Sequence, residues 1–166
     1  MASRHRNILG KAVGNAFAMA TPMPTSTAER LDHERRGTVL VIAGDELRGE
    51  VADALTGAGY RVITIGNTTD AAAFLRRQVT PPAIVVLDWS APGMSGLQFV
   101  ALHASSPMFS RTPIAVIAGP NNNVPRLCVV GIVYTPVDHA RLGEIVERAT
   151  RIAPKRDTAE HDLALC

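Results

Sequence analysis

The residue best placed to do chemistry is Asp88, in the stretch AIVVLDWSAPGMSG from Ala83 to Gly96. Ala83, Ile84, Val85, Val86 and Leu87 form a run without polar alternation, the pattern of a strand covered on both faces. Asp88 therefore stands at that strand's carboxyl end, the edge of an open α/β sheet where ligands and reactive groups collect. The plainer use of an acid here is to start a turn. A second candidate is the Gly119–Asn123 loop at the same sheet edge, which would suit a small-molecule binder or enzyme. Its Gly-Pro-Asn-Asn-Asn sequence is no phosphate-cradling glycine loop, and no nucleophile and base are paired by motif. His103 in the middle of a helix and His139 at the start of another read as surface residues rather than catalytic ones. The two cysteines, Cys128 and Cys166, lack metal or CxxC spacing, and Cys128 lies in an apolar run that suits a buried thiol. A cytoplasmic, reducing setting fits them.

Alternating strand and helix patterns position these residues. Thr38–Ala43 reads as a buried strand. From Asp45 the apolar positions Leu47, Val51, Leu55 and Ala58 recur at helical spacing, and Gly57 and Gly59 end that helix. Tyr60–Ile65 is a second strand, and Asp70–Gln78 a short helix burying Phe74 and Leu75. Pro81 and Pro82 punctuate before the central strand. A helix after Gly96 is expected to turn Leu97, Val100, Ala101 and Ala104 inward. Ile114–Ala118 and Val129–Tyr134 are the fourth and fifth strands, and Leu142, Ile145, Val146, Ala149 and Ile152 mark the last helix. Five strands alternating with helices make an α/β, doubly wound sheet.

At Asp88, Trp89, Ser90, Ala91, Pro92, Gly93, Met94, Ser95 and Gly96 the chain resembles the receiver domain of bacterial two-component response regulators. In that family the phospho-acceptor strand ends in an acid followed by a Pro-x-Met-x-Gly turn that opens a helix. The resemblance extends more weakly from about Thr38 to Ile152. It implies a five-stranded parallel sheet in the order 2-1-3-4-5, the flavodoxin-like receiver fold, with Asp88 as the phospho-acceptor candidate. It also implies a cis bond at Thr135–Pro136, where the chain turns sharply after the fifth strand. The stretch from Ala118 to Gly131, where a receiver has a full helix, carries Pro120, Pro125 and three consecutive asparagines. The fourth helix is therefore expected to be short or missing.

Several positions that the resemblance makes important hold other residue types. Receivers carry a pair of acids after the first strand that hold a divalent cation, and hard cations demand carboxylate oxygens. Here those positions are Ala43 and Gly44, with Asp45 and Glu46 following. The hydroxyl residue at the end of the fourth strand is replaced by Ala118, the lysine before the cis proline by Thr135, and the aromatic switch by Ile132. No lysine occurs between Lys11 and Lys155. Losing charge-assisted contacts worth about 1.5–3 kcal/mol each makes phosphoryl transfer to Asp88 inefficient. The reading is a degenerate, stand-alone receiver-like domain, not an enzyme and without a cofactor. It acts in signalling through a protein partner, a histidine kinase or another signalling protein. Two alternatives stand beside it. One is a conventional single-domain response regulator phosphorylated on Asp88, with Mg²⁺ held by Asp88, Asp45 or Glu46 and the Ser90 carbonyl. The other is the small-molecule-binding α/β domain.

Composition bounds these readings. A chain of 166 residues with 46% hydrophobic content makes one domain with a normal core. The net charge of +2, with basic residues scattered, does not imply a nucleic-acid partner. No apolar run approaches the roughly 18 residues of a membrane span. Residues 1–36 read as a flexible N-terminal arm, 37–153 as the receiver-like domain and 154–166 as a C-terminal tail. Flanks of this length are expected to carry no output domain. Within the arm, Ile8, Leu9, Val13, Ala16 and Phe17 could form one short amphipathic helix. Its early basic residues suggest a cleaved signal, but Gly14 and Asn15 break the apolar centre.

Overall fold

Short aliphatic runs without polar alternation become strands with no exposed face, and here they occupy the middle of one parallel sheet. The computed structural model describes residues 36–152. The strands are β1 (Thr38–Ile42), β2 (Arg61–Ile65), β3 (Ile84–Asp88), β4 (Ile114–Ala118) and β5 (Gly131–Tyr134). The helices between and after them are α1 (Asp45–Gly57), α2 (Thr68–Arg77), α3 (Gly96–Ala104) and α4 (His139–Ile152). All strand pairs are parallel, in the order β2-β1-β3-β4-β5. Every residue of β3 and of β4 is buried, whereas the edge strand β2 is exposed at Arg61 and Thr64.

Successive side chains leave the sheet on opposite sides, so the inner strands feed two separate cores. Val39, Val41, Ile84, Val86, Ala115 and Ile117 meet Val51 and Leu55 of α1 and Leu142, Ile145 and Val146 of α4. Leu40, Ile42, Val85, Leu87, Ile114 and Val116 meet Ala71, Ala72 and Leu75 of α2 and Phe99 and Val100 of α3. Each fully buried Val, Leu or Ile contributes about 1.5–3 kcal/mol, so both layers are needed to hold the sheet.

No regular helix forms between β4 and β5. The Asn122 side chain accepts from the Gly119 amide at 2.7 Å, and one 3₁₀ turn follows at Arg126–Cys128. Buried Val124 and half-buried Val129 cover the sheet in place of a helix. The Thr135–Pro136 bond is cis, as the resemblance implies.

Local details differ from expectation. α2 begins at Thr68, because the Asn67 side chain accepts from the Asp70 amide at 2.8 Å and starts the helix two residues early. Ala58 is exposed, since the chain has already left α1 there. α3 turns Gly96, Phe99, Val100 and His103 inward, leaving Leu97, Ala101 and Ala104 exposed. This helix is apolar nearly all round, so spacing alone did not select its inner face; packing against Phe109 and the sheet did. His103 is consequently buried rather than on the surface, whereas His139 is exposed and pairs with Glu50 at 2.9 Å. Cys128 is exposed, carried outward by the 3₁₀ turn. Among the described residues no helix is long and apolar enough to cross a membrane. The expected arm up to residue 35, the tail from 153 and the Ile152 side chain lie outside the described residues.

Burial of His103 has a measurable consequence. Its Nε2 finds no partner, and loss of hydration holds the imidazole below its usual 6.5. Below 6.5 the unfolded chain takes up protons that the folded chain resists, so stability falls as pH drops through that value and is retained above it. Replacing the ring also relieves an unsatisfied buried group costing about 1–3 kcal/mol. His103→Leu should therefore keep or raise the urea midpoint at pH 7.5 and lose less of it than the native chain on going to pH 5.5. Equal acid sensitivity of the two proteins would show that His103 does not set it.

Candidate functional site

Asp88 ends β3 beside Ile117 of β4 and is 8% exposed. The Trp89 amide donates to the Ile117 carbonyl at 2.8 Å, extending the strand pairing one residue past Asp88. The chain then turns: the Ser90 amide donates to Asp88 Oδ1 at 2.9 Å and the Ala91 amide to the Asp88 carbonyl at 3.0 Å. The acid is therefore a turn former whatever else it does. Among the described residues Oδ2 accepts no hydrogen bond, and the only buried side-chain N or O without a partner is His103 Nε2. Oδ2 thus keeps contact with solvent and is the oxygen open to a reactant.

The loop after Asp88 is held from α2. Thr68 is fully buried, and its hydroxyl lies 3.0 Å from the Pro92 carbonyl and 2.8 Å from that of Met94. Its amide also donates to Pro92 at 2.9 Å. Gly93 has φ +104°, and a Cβ there would lie 2.7 Å from the Thr68 hydroxyl. Gly96 makes room for the Trp89 ring, whose nearest atom lies 2.5 Å from where a Cβ would stand. Ser95 and Gln98 close a capping box that starts α3 immediately after the loop. The Asn-Thr-Thr-Asp run at 67–70 carries the signal of a helix start. Nothing in it shows that Thr68 would reach across to Pro92 and Met94.

The remaining candidate residues stand as follows. Ala43 is fully buried at the end of β1, and Gly44 precedes α1. Asp45 has an 89% exposed side chain paired with Arg48, whose guanidinium lies against Gly66 after β2. That pair draws Asp45 toward the far edge strand, with β1 between it and β3. An exposed pair of this kind is worth about 0–1 kcal/mol, so it is a preference rather than a lock. Glu46 and Ser90 are exposed. Among the described residues no three His, Cys, Asp or Glu side chains come together where they could hold a metal ion. Ala118 is buried beside Tyr134, and its carbonyl accepts from the Thr135 amide at 2.9 Å. Ile132 is half-buried against the α2–α3 core. In the Gly119–Asn123 loop the Gly119 amide is consumed by Asn122, which leaves that donor unavailable to a ligand.

The fold matches that of solved structures, with distant sequence similarity. The signal receiver domain of a signal transduction histidine kinase from Syntrophus aciditrophicus aligns at TM-score 0.63 and 18% identity, covering 76% of this chain and 99% of that one. The receiver domain of a sensor histidine kinase from Pseudomonas aeruginosa PAO1, with a magnesium ion coordinated in its active-site cleft, gives 0.60 and 19%, covering 69% and 98%. A chemotaxis response regulator of Vibrio cholerae gives 0.59 and 21%, covering 68% and 97%. No family model matches the sequence, and no curated protein matches it. The chain has the receiver fold of bacterial two-component signalling proteins.

Thr68 provides a test of how the acceptor loop is held. Thr68→Val keeps shape but leaves the Pro92 and Met94 carbonyls without the hydroxyl, which should cost about 1–3 kcal/mol of stability. Thr68→Ser should recover most of it. Urea unfolding followed by Trp89 fluorescence reads both effects, and an unchanged midpoint in Thr68→Val would show that the hydroxyl does not hold the loop.

Proposed function

We propose that this chain is a degenerate receiver-like domain that acts in two-component-type signalling by binding a protein partner, with little or no phosphorylation at Asp88. The observation that carries this reading is the company Asp88 keeps. One carboxylate oxygen is engaged by the Ser90 amide, and the nearest acid after β1, Asp45, is turned onto Arg48. Ala118 and Thr135 stand where the resemblance would place the hydroxyl and the ammonium for a phosphoryl group. A phosphoaspartate here lacks contacts worth about 1.5–3 kcal/mol each.

Leu97, Met108, Val130 and Tyr134 are each more than two-fifths exposed, apolar area that a protein partner would cover. A histidine kinase or another signalling protein is the class of partner the fold suggests, in a cytoplasmic setting. Function through recognition requires no catalytic group.

The test is direct. Incubation with acetyl phosphate and Mg²⁺ should leave the intact mass unchanged, and Mg²⁺ alone should leave Trp89 fluorescence unchanged. Asp88→Asn retains an oxygen for the Ser90 amide, so its stability should stay within about 1 kcal/mol of the native chain. A stoichiometric phosphoryl adduct that is absent in Asp88→Asn would replace this reading with a conventional receiver cycle. In that cycle Asp88, Asp45 or Glu46 and the Ser90 carbonyl would hold the cation.

A further inference from the structure

At the end of the sheet opposite Asp88, an open groove of about 450 Å³ runs between the second half of α3 and the chain entering β4 and β5. Its lining is mixed: Val100, Ile114, Val129 and Val130 are apolar, and His103, Ser110, Arg111, Thr112 and Cys128 also border it. The Cys128 thiol is free and exposed. The groove is open rather than enclosed, which suits an extended chain segment better than a small molecule.

We propose that this groove is the docking site of the chain's own segment Asp162–Cys166, Asp-Leu-Ala-Leu-Cys. The course of α4 brings the segment within reach. Ile145 lies against Gly131, the first residue of β5, and the helix runs on to Ile152. Those seven further residues carry it about 10 Å past that level, to the end of the sheet where the groove lies. The fourteen residues from Ile152 to Cys166 span up to about 46 Å, enough to pass from one face of the sheet to the other.

Chemistry selects this occupant. Leu163 and Leu165 alternate as an extended segment needs to seat against apolar side chains, and Asp162 complements Arg111. The amphipathic stretch Ile8–Phe17 carries Lys11 and follows Arg4 and Arg6, the same sign as Arg111. Docking would then bring Cys166 to the groove that Cys128 borders. Docking covers Val130 and so competes with a partner for that surface, whatever the state of Asp88.

Two measurements on the full chain test this. In a Cys166→Ser background, iodoacetamide should alkylate Cys128 about fivefold faster once Leu163→Asp and Leu165→Asp are added, because a tethered segment acts at high effective concentration. Unchanged circular dichroism shows that those substitutions leave the fold intact. With both native cysteines present, oxidised glutathione should close a Cys128–Cys166 disulfide within one chain. It accepts the two thiol hydrogens and is released as two molecules of reduced glutathione. The control, Cys128→Ser with Val79→Cys, moves the partner thiol to a position 92% exposed and should close more slowly. Equal alkylation rates, equal closure rates, or cross-linked dimers as the main product would overturn the proposal, the last in favour of a second copy in the groove.

Discussion

The lack of an exposed face on β3 leaves one problem for the chain to solve, and Asp88 solves it. A strand that is apolar on both sides gains nothing from one register over the next, because a one-residue slip exchanges one set of aliphatic side chains for another. A slip that carried Asp88 further into the sheet would remove its Ser90 hydrogen bond and its remaining exposure, and burying a charge without partners costs several kcal/mol even after relaxation. The acid therefore acts as a stop. Its turn hydrogen bond to Ser90 and the Trp89–Ile117 bond hold the strand at that point. The position best suited to chemistry and the position that fixes register are the same residue.

From this stop the rest of the site edge follows. Thr68 ties the loop after Asp88 to α2, and Ser95 starts α3 at the end of it, so β3, α2 and α3 are locked together. The β4–β5 side is locked differently, by backbone pairing: Asp88 opposes Ile117, Ala118 opposes Tyr134, and the Thr135 amide closes on the Ala118 carbonyl. A ligand or modification shifts an equilibrium only as far as it contacts two states differently. Ala118 offers no hydroxyl for a group on Asp88 to pull, and Ile132 has no ring to reorient.

The inner strands were legible because their signal is local and redundant: Ile114–Ala118 is apolar throughout and becomes β4 with those same limits. Parallel order and two-layer burial follow once several such runs alternate with helices. The irregular β4–β5 connection was legible too, since Pro120 and Pro125 remove donors that a helix requires. Illegible features depend on tertiary choice. α3 has apolar residues on several faces, and only its packing against Phe109 and the sheet decides that His103 turns inward and Leu97 outward. Cys128 sits in an apolar run yet faces solvent because one 3₁₀ turn reverses the chain there. Asp45 could be placed near the sheet edge from sequence. Its partnership with Arg48, and so its direction, could not, because exposed ion pairs are decided by differences near about 1 kcal/mol.

The loss of a helix after β4 alters one whole side of the domain. A helix is about 10 Å wide and would cover both β4 and β5, whereas an extended chain covers a narrower strip. The segment from Gly119 to Val130 compensates at two points, with Val124 and Val129 against the core, and leaves the groove beside α3 uncovered. His103 borders that groove, a buried imidazole whose Nε2 has no partner, on a helix face otherwise made of glycine, phenylalanine and valine. Unsatisfied polar groups and sparse cover lower local stability, and binding surfaces are drawn from such regions. The side between α3 and β5 is therefore the more sparsely covered one. Recognition has most to gain there.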